Sequence, residues 1–237
     1  ATAEHPFMTM AGWRQLGNLQ VGDYVAAARS VPVSGRRRWP RHQILVLADL
    51  IAEGNLCHPS TFYFYTTASW HCDEFVKAVE LFPNTRAVIE RHKNCFSVRV
   101  VRRERVRPIG AVTWARALGI WGCDARGKHL PPEVFELCGR HIALFLARLW
   151  EGDGSFSTTG HASYDTASYR LGSEVQHLLL RLGIVARLYR RERSYKGRKL
   201  EHHVVPVTRQ DPLRRFWRHV GRHFLDPVKR RHSRALA

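Results

Sequence analysis

Val46 to Gly54, VLADLIAEG, and Leu146 to Gly154, LARLWEGDG, decide how this chain is read. Each is a mostly apolar helical run that closes on a small residue, an acid and a glycine: Ala52-Glu53-Gly54 in the first, Gly152-Asp153-Gly154 in the second. Glycine just past a helix suits the left-handed cap conformation, which puts each acid on the last helical turn. A helix C-terminus carries partial negative charge, so a carboxylate there is disfavoured by about 0.3–1 kcal/mol unless a cation is near. The two acids stand 100 residues apart, and the repetition points to two helix ends meeting around metal.

The duplication continues downstream. Tyr65-Thr66-Thr67-Ala68-Ser69 matches Tyr164-Asp165-Thr166-Ala167-Ser168, at nearly equal distances from Gly54 and Gly154. Helical patterns follow at 73–81 and 173–182, with Ser69 and Ser168 as expected N-caps. Strand-like runs lie at 62–67, 96–102, 162–166, 186–195 and 202–207. The chain therefore reads as an internal duplication of a helix-strand-helix unit.

These residues resemble the two signature motifs of the LAGLIDADG homing endonucleases, specifically the single-chain, two-repeat enzymes carried inside inteins. Lys128-His129-Leu130-Pro131 is similar to the family's lysine-proline block before the second motif, and residues 175–184, VQHLLLRLGI, to its post-motif helix. The resemblance covers about 42–225. It implies an α+β fold: two pseudo-symmetric αββαββα-like repeats with antiparallel, saddle-shaped DNA-binding sheets, plus a short N-terminal β segment. The expected division is a partial intein splicing-domain (Hint-like) remnant and linker at 1–35, a first repeat at 36–138, and a second repeat with a basic tail at 139–237.

The chain has 237 residues, enough for one large or two modest domains with a real core. It holds no run of 18 apolar residues and no signal-peptide pattern, so it is expected to be soluble, intracellular and cytoplasmic, on DNA and away from membranes. Five cysteines without a CxxC pair are expected as reduced thiols. A net charge of +18 demands an acidic partner. The basic residues are interleaved with aromatics along strand patterns rather than gathered on one amphipathic helix, which favours nucleic acid over an anionic membrane surface.

Residues 1–30 differ in character, with only four charged side chains. Thr2-Ala3-Glu4-His5 and the later Gly22-Asp23-Tyr24-Val25-Ala26 resemble an intein's threonine-x-x-histidine block and the strand entered through glycine-aspartate. Thr2 and His5 are carried over only as a splicing remnant, because Ala1 and Ala237 stand where splicing chemistry needs a nucleophile and an asparagine. A small β-ribbon packed on the nuclease is the expected present form. Residues 33–40, VSGRRRWP, read as a linker with a charge run.

Within the first motif helix, Ala48 and Ala52 make a small-residue face for close helix approach, whereas Arg148 occupies the slot matching Ala48 in the second. Glu53 and Asp153, with the helix-end carbonyls of Ala52 and Gly152, are the expected ligands of Mg²⁺, a hard cation suited to oxygen donors. By resemblance Lys128 places a positive charge beside one scissile phosphate, and its counterpart is expected at Lys196 or Lys199. Arg191 and Arg193 share a strand face that excludes Glu192; with Arg99, Arg102, Lys196, Arg198, Lys199, His202, Thr66 and Asp165 they are the expected DNA contacts. The tail from Asp211 onward is rich in Lys and Arg, with Phe216, Val220 and Phe224 at helical spacing to dock on the second repeat and its charges serving general DNA affinity.

The function expected is a monomeric, Mg²⁺-dependent meganuclease that hydrolyses both strands of a long, non-palindromic double-stranded DNA target. The alternatives are an RNA maturase-like or catalytically decayed nucleic-acid-binding protein, and a residual protein-splicing element. A zinc site at Cys57-His58, His71-Cys72 or 92–95 lacks the paired spacing of a finger.

Overall fold

The computed structural model describes residues 1–31, 35–157, 161–195 and 197–235. Two helices run through its centre, α1 (Arg41–Glu53) and α4 (Gly139–Asp153). Their sequences lack a polar face: every residue from Ile44 to Ala52 and from Ile142 to Glu151 is buried. A helix apolar all round has to be wrapped by other elements; α1 and α4 cover each other, and the elements that follow each cover the rest.

After α1 come β3 (Gly54–Asn55), β4 (Tyr63–Thr66), α2 (Ser69–Val79), β5 (Thr85–His92), β6 (Cys95–Arg102) and α3 (Gly110–Ala117). After α4 come β7 (Gly154–Phe156), β8 (Ala162–Thr166), α5 (Tyr169–Arg181), β9 (Tyr189–Tyr195), β10 (Arg198–Val207) and α6 (Gln210–His219), then α7 (Pro227–Ala235). The four-stranded antiparallel sheets have the orders β3-β4-β6-β5 and β7-β8-β10-β9, which are the same topology twice. The α+β, αββαββα architecture expected from the sequence is the one observed. β5 and α3 were missed in the sequence because Thr85–His92 mixes apolar and charged residues on both faces and α3 is only eight residues long.

The sequence match Tyr65 with Tyr164 is one residue out of register. Gly54 pairs with Phe64 and Gly154 with Tyr164, so Phe64 corresponds to Tyr164, Tyr65 to Asp165 and Thr66 to Thr166. A slip of one residue turns every side chain to the other sheet face, and Phe64 and Tyr164, both fully buried, fix the choice. Thr66 and Thr166 bear this out by accepting hydrogen bonds from the backbone N–H groups of Ala68 and Ser168. Ser168 caps α5 by accepting from Leu171 N–H at 3.1 Å. Ser69 does not cap: it is the first residue of α2, and Ala68 holds the cap position.

Gly54 and Gly154 are not left-handed caps. Their φ/ψ values, −83°/145° and −89°/143°, are those of extended strand. Glycine is required for space: a Cβ on Gly54 would lie 2.4 Å from the Leu50 carbonyl oxygen, and one on Gly154 2.3 Å from Trp150 Cδ1. Each chain leaves its helix so sharply that strand begins at the next residue.

Phe216, Val220 and Phe224 dock as their spacing predicts, all fully buried, with the Phe216 ring 5.0 Å from Trp150 and the Phe224 ring 5.7 Å from Phe156. The N-terminal ribbon forms as β1 (Pro6–Thr9) and β2 (Gly12–Gln15). It is not packed on the core: none of residues 1–31 is buried, and Met10, Trp13 and Tyr24 stand exposed. The glycine-aspartate strand is reduced to a single bridge, Thr9 to Val25. Thr2 and His5 are joined by His5 N–H donating to the Thr2 carbonyl at 3.1 Å, and both are exposed. Of the linker, residues 33–34 lie outside the described residues. No helix is long and apolar enough to cross a membrane among the described residues.

Candidate metal and nucleic-acid site

α1 and α4 meet at their C-terminal ends. A Cβ on Gly152 would stand 2.6 Å from Ala52 Cβ and 3.4 Å from Glu53 Cγ, so glycine at 152 is what lets the helix ends meet. Arg148 does not hold the crossing open. It is fully buried in ion pairs with Glu74 of α2 (Nε–Oε2 3.0 Å) and with Glu151. A second buried pair, Asp49 Oδ1 with His71 Nε2 at 2.8 Å, ties α1 to α2.

At this junction Glu53 and Asp153 come together. The Asp153 carboxyl is pushed up to about 7, first by burial and then by the negative charge of Glu53, with Lys128 opposing. Two carboxylates forced together at two negative helix ends are short of positive charge. The described residues hold no group of three or more His, Cys, Asp or Glu side chains able to hold a metal. The donor set is therefore two carboxylates with helix-end carbonyls, and it fits a hard cation that keeps several waters and takes further oxygens from substrate. The Ala52 carbonyl lies at the junction, and in this structure it accepts from Lys128 Nζ at 2.9 Å. Gly152 supplies the matching helix-end carbonyl position on α4.

Lys128 thus reaches the junction through its bond to the Ala52 carbonyl. Burial lowers the pKa of its ammonium, and Asp153 and Glu53 hold it up. The second lysine at the junction is Lys229 of α7. Its Nζ donates to the carbonyls of Trp150 (2.6 Å), Glu151 (3.0 Å) and Gly154 (3.1 Å), the end of α4 and the start of β7. Its pKa is also lowered by burial and raised back by Asp226, Asp153 and Glu53. Of the counterparts expected at Lys196 and Lys199, the second is corrected here. Lys199 is exposed and pairs with Glu192 at 3.4 Å, on the helix side of its sheet, while Lys196 lies outside the described residues. A signal for Lys229 was present in the numbering: Lys128 follows Glu53 by 75 residues and Lys229 follows Asp153 by 76.

The expected DNA contacts divide by strand parity. Phe64, Val98 and Val100 in one sheet and Tyr164, Val205 and Val207 in the other point to the helices. On the opposite faces lie Arg99, cross-strand from Tyr63 and Val88, and Arg191, Arg193, His202 and Asp165. Arg191 faces His202 and Arg193 faces Leu200, whereas Glu192 faces Glu201 on the helix side. Arg99, Arg191 and Arg193 have no ion-pair partner among the described residues, and His202 lies 3.6 Å from Asp165. Thr66 and Arg102 have the core parity instead: the Thr66 hydroxyl is used by the turn into α2, and Arg102 donates to the Arg105 carbonyl at 3.1 Å. Arg198 lies on β10, and its side chain is outside the described residues. Tyr63 and Tyr65, stacked at 6.2 Å on the open face, were absent from the sequence expectation.

The model of a LAGLIDADG-like domain matches residues 140–221. The chain is 33% identical over 227 residues to the replicative DNA helicase DnaB of Rhodothermus marinus, covering 90% of this chain and 24% of that protein. It is 32% identical over 235 residues to DnaB of a Nostoc species, covering 93% of this chain and 26% of that protein. It spans about a quarter of the length of these curated relatives. Among solved structures it is similar to the homing endonuclease I-DmoI in complex with DNA and calcium, with a TM-score of 0.55 and 11% identity, covering 81% of this chain and 96% of that one. The fold is that of the LAGLIDADG homing endonucleases.

Proposed function

We propose that the chain is a site-specific double-strand DNA endonuclease of the homing type, monomeric and Mg²⁺-dependent, acting on a long non-palindromic target. The observation that carries this reading is the junction of α1 and α4, where Glu53 and Asp153 meet with one half-buried lysine ammonium at each helix end. Mg²⁺ bound there supplies Lewis-acid polarisation of the scissile phosphates and a water of lowered pKa. The protein's own part is positioning and charge. Glu53 and Asp153 hold the centre, Lys128 and Lys229 each present a fixed positive charge to one strand's phosphate, and buried charges act in a low dielectric without reorganising. Arg99, Arg191 and Arg193, unpaired on the open sheet faces, bind the duplex, with His202 and the stacked tyrosines beside them. Because Glu53 is matched by Asp153 and Tyr65 by Asp165, the two half-sites read differ, and the target is asymmetric.

An origin inside a larger coding frame is supported by the resemblance of Thr2 and His5 to a splicing-domain block and by relatives of which the chain spans about a quarter.

The test is cleavage of a randomised duplex library with Mg²⁺, beside the Glu53→Gln, Asp153→Asn double variant. Recovery of one long asymmetric site, cut only by the intact protein, supports the reading. Binding without cutting removes the nuclease and sends the next assay to structured RNA. On the recovered site, Lys128→Met and Lys229→Met are each expected to leave mainly nicked circles from supercoiled plasmid, on opposite strands, with the lost strand slowed by about 10²-fold, the size seen when one charge-stabilising donor is removed. Equal slowing of both strands by either variant would deny the assignment of one lysine per strand.

A further inference from the structure

Each lysine reaches the junction from a connecting segment whose course is not dictated by the helices it serves. Lys128 lies in the stretch between α3 and α4, and Lys229 at the start of α7. Both segments are pinned by a carboxylate from elsewhere in the second repeat. Leu130 N–H, two residues past Lys128, donates to Glu174 Oε2 of α5 at 2.6 Å, and Glu174 Oε1 is oriented by Arg170 Nε at 2.9 Å. Ahead of Lys229, the N–H groups of Leu225 and Asp226 both donate to Glu151 Oε1, at 2.5 and 2.8 Å. The other Glu151 oxygen meets Arg148, whose orientation Glu74 fixes in turn. Asp226 Oδ1 then accepts from the N–H groups of Val228 (2.7 Å) and Lys229 (3.1 Å), starting α7 at the required place.

We infer that Glu174 and Glu151 are positioning residues, each latching one lysine and thereby governing cleavage of one DNA strand. Carboxylate-to-backbone bonds of this kind are charge-assisted, hence short and directional. Each carboxylate acts by fixing a segment of backbone, and through it where an ammonium lies; the Glu151 backbone carbonyl also accepts from Lys229 Nζ. A displacement of about 1 Å in such a group is enough to slow chemistry by roughly 10²-fold. The latches are separate, one a half-buried carboxylate on α5 and the other in the buried ion pairs of α4. Loss of either should unbalance the two strands rather than slow both.

This inference rests on the proposed nuclease reading, and its test separates the two. The full chain is compared as wild type, Glu174→Ala, Glu174→Gln, Glu151→Ala and Glu151→Gln, in two measurements. Hydrogen exchange, which needs no cleavage, should quicken in 125–131 for Glu174→Ala alone and in 222–230 for Glu151→Ala alone. Strand-resolved nicking of plasmid carrying the library-derived site should show Glu174→Ala slowing the strand that Lys128→Met slows, and Glu151→Ala the strand that Lys229→Met slows, each by tenfold or more. The glutamine variants, which keep one acceptor oxygen, should recover part of the loss. Equal slowing of both strands, or exchange unchanged in both segments, overturns the latches. A wild type that cuts nothing instead defeats the nuclease reading, while exchange still reports whether the segments are pinned. Should Glu151→Ala fail to fold, the Glu174 pair decides alone, because the Glu174 side chain is partly exposed whereas that of Glu151 is fully buried.

Discussion

Asp153→Asn is expected to remove double-strand cleavage, by about three orders of magnitude or more, and at the same time to make the metal-free protein more stable above pH 7. The first effect follows from the loss of a metal carboxylate, since metal stabilisation of the transition state is worth several kcal/mol. The second follows from the raised carboxyl. Asp153 titrates at about 7 in the folded chain, against an ordinary value of 3.8. Between those values the folded state binds more protons than the unfolded state, so stability falls as pH rises through that window. At pH 8 the full cost is present, at most about 4 kcal/mol for a shift of this size, and the partial exposure of the group reduces it. Asparagine carries no such charge. Urea unfolding at pH 5.5 and pH 8 should therefore show wild-type stability declining with pH and the variant's declining less. Mg²⁺ should restore the wild type at pH 8 and leave the variant largely unchanged. A variant with the same pH slope as wild type would remove the electrostatic account of the junction, and one that still cuts both strands would remove the metal assignment.

Arg148→Met is expected to destabilise the fold by about 3–5 kcal/mol, the loss typical when one member of a buried ion pair is removed and the other left uncompensated. Arg148 is fully buried between Glu74 and Glu151, and burial lowers its pKa while Glu74 and Asp49 support the charge. Without it, two carboxylates remain between α1, α2 and α4 with Asp49 nearby. The check is urea unfolding of Arg148→Met and of the triple variant that adds Glu74→Gln and Glu151→Gln. The triple variant should recover much of the loss, because neutralising the whole set removes the orphaned charges. A single variant as stable as wild type would mean that the guanidinium is dispensable to the packing of the central helices.

The sequence disclosed the architecture through repetition rather than through local propensity. Two helix-acid-glycine endings 100 residues apart located both central helices, and the all-apolar character of Ile44 to Ala52 placed them inside. What a short match could not set was register. YTTAS and YDTAS align by letters, but sheet pairing obeys side-chain volume, and Phe64 against Tyr164 wins because both fill the core. The same volume rule explains the glycines after the helices, where crowding against Leu50 and Trp150, not a left-handed turn, demands the residue.

The candidate site was half legible. Glu53, Asp153 and Lys128 were found because motif and spacing single them out, and Arg191 and Arg193 because strand alternation puts them together. Lys229 was hidden among the tail's arginines, where composition suggests only general affinity; the structure singles it out by its three carbonyl contacts. Lys199 looked equivalent until pairing placed it on the helix side beside Glu192. Arg148 stands in the sequence only as a large residue in the slot matching Ala48, because a sequence shows the size of a side chain but not the acids waiting for it.

The bond from Leu130 N–H to Glu174 has a consequence for the order in which the molecule is made. A ribosome delivers Glu53 and Lys128 well before α5, and Lys229 later still. A nascent chain that has finished its first half therefore holds an acid and a lysine but no latch and no partner carboxylate. Assembly of the proposed centre waits for the second half, as does burial of the face of α1 that packs on α4. On the proposed function, truncated products of interrupted translation would lack Asp153 and Lys229 and so half of the cutting centre.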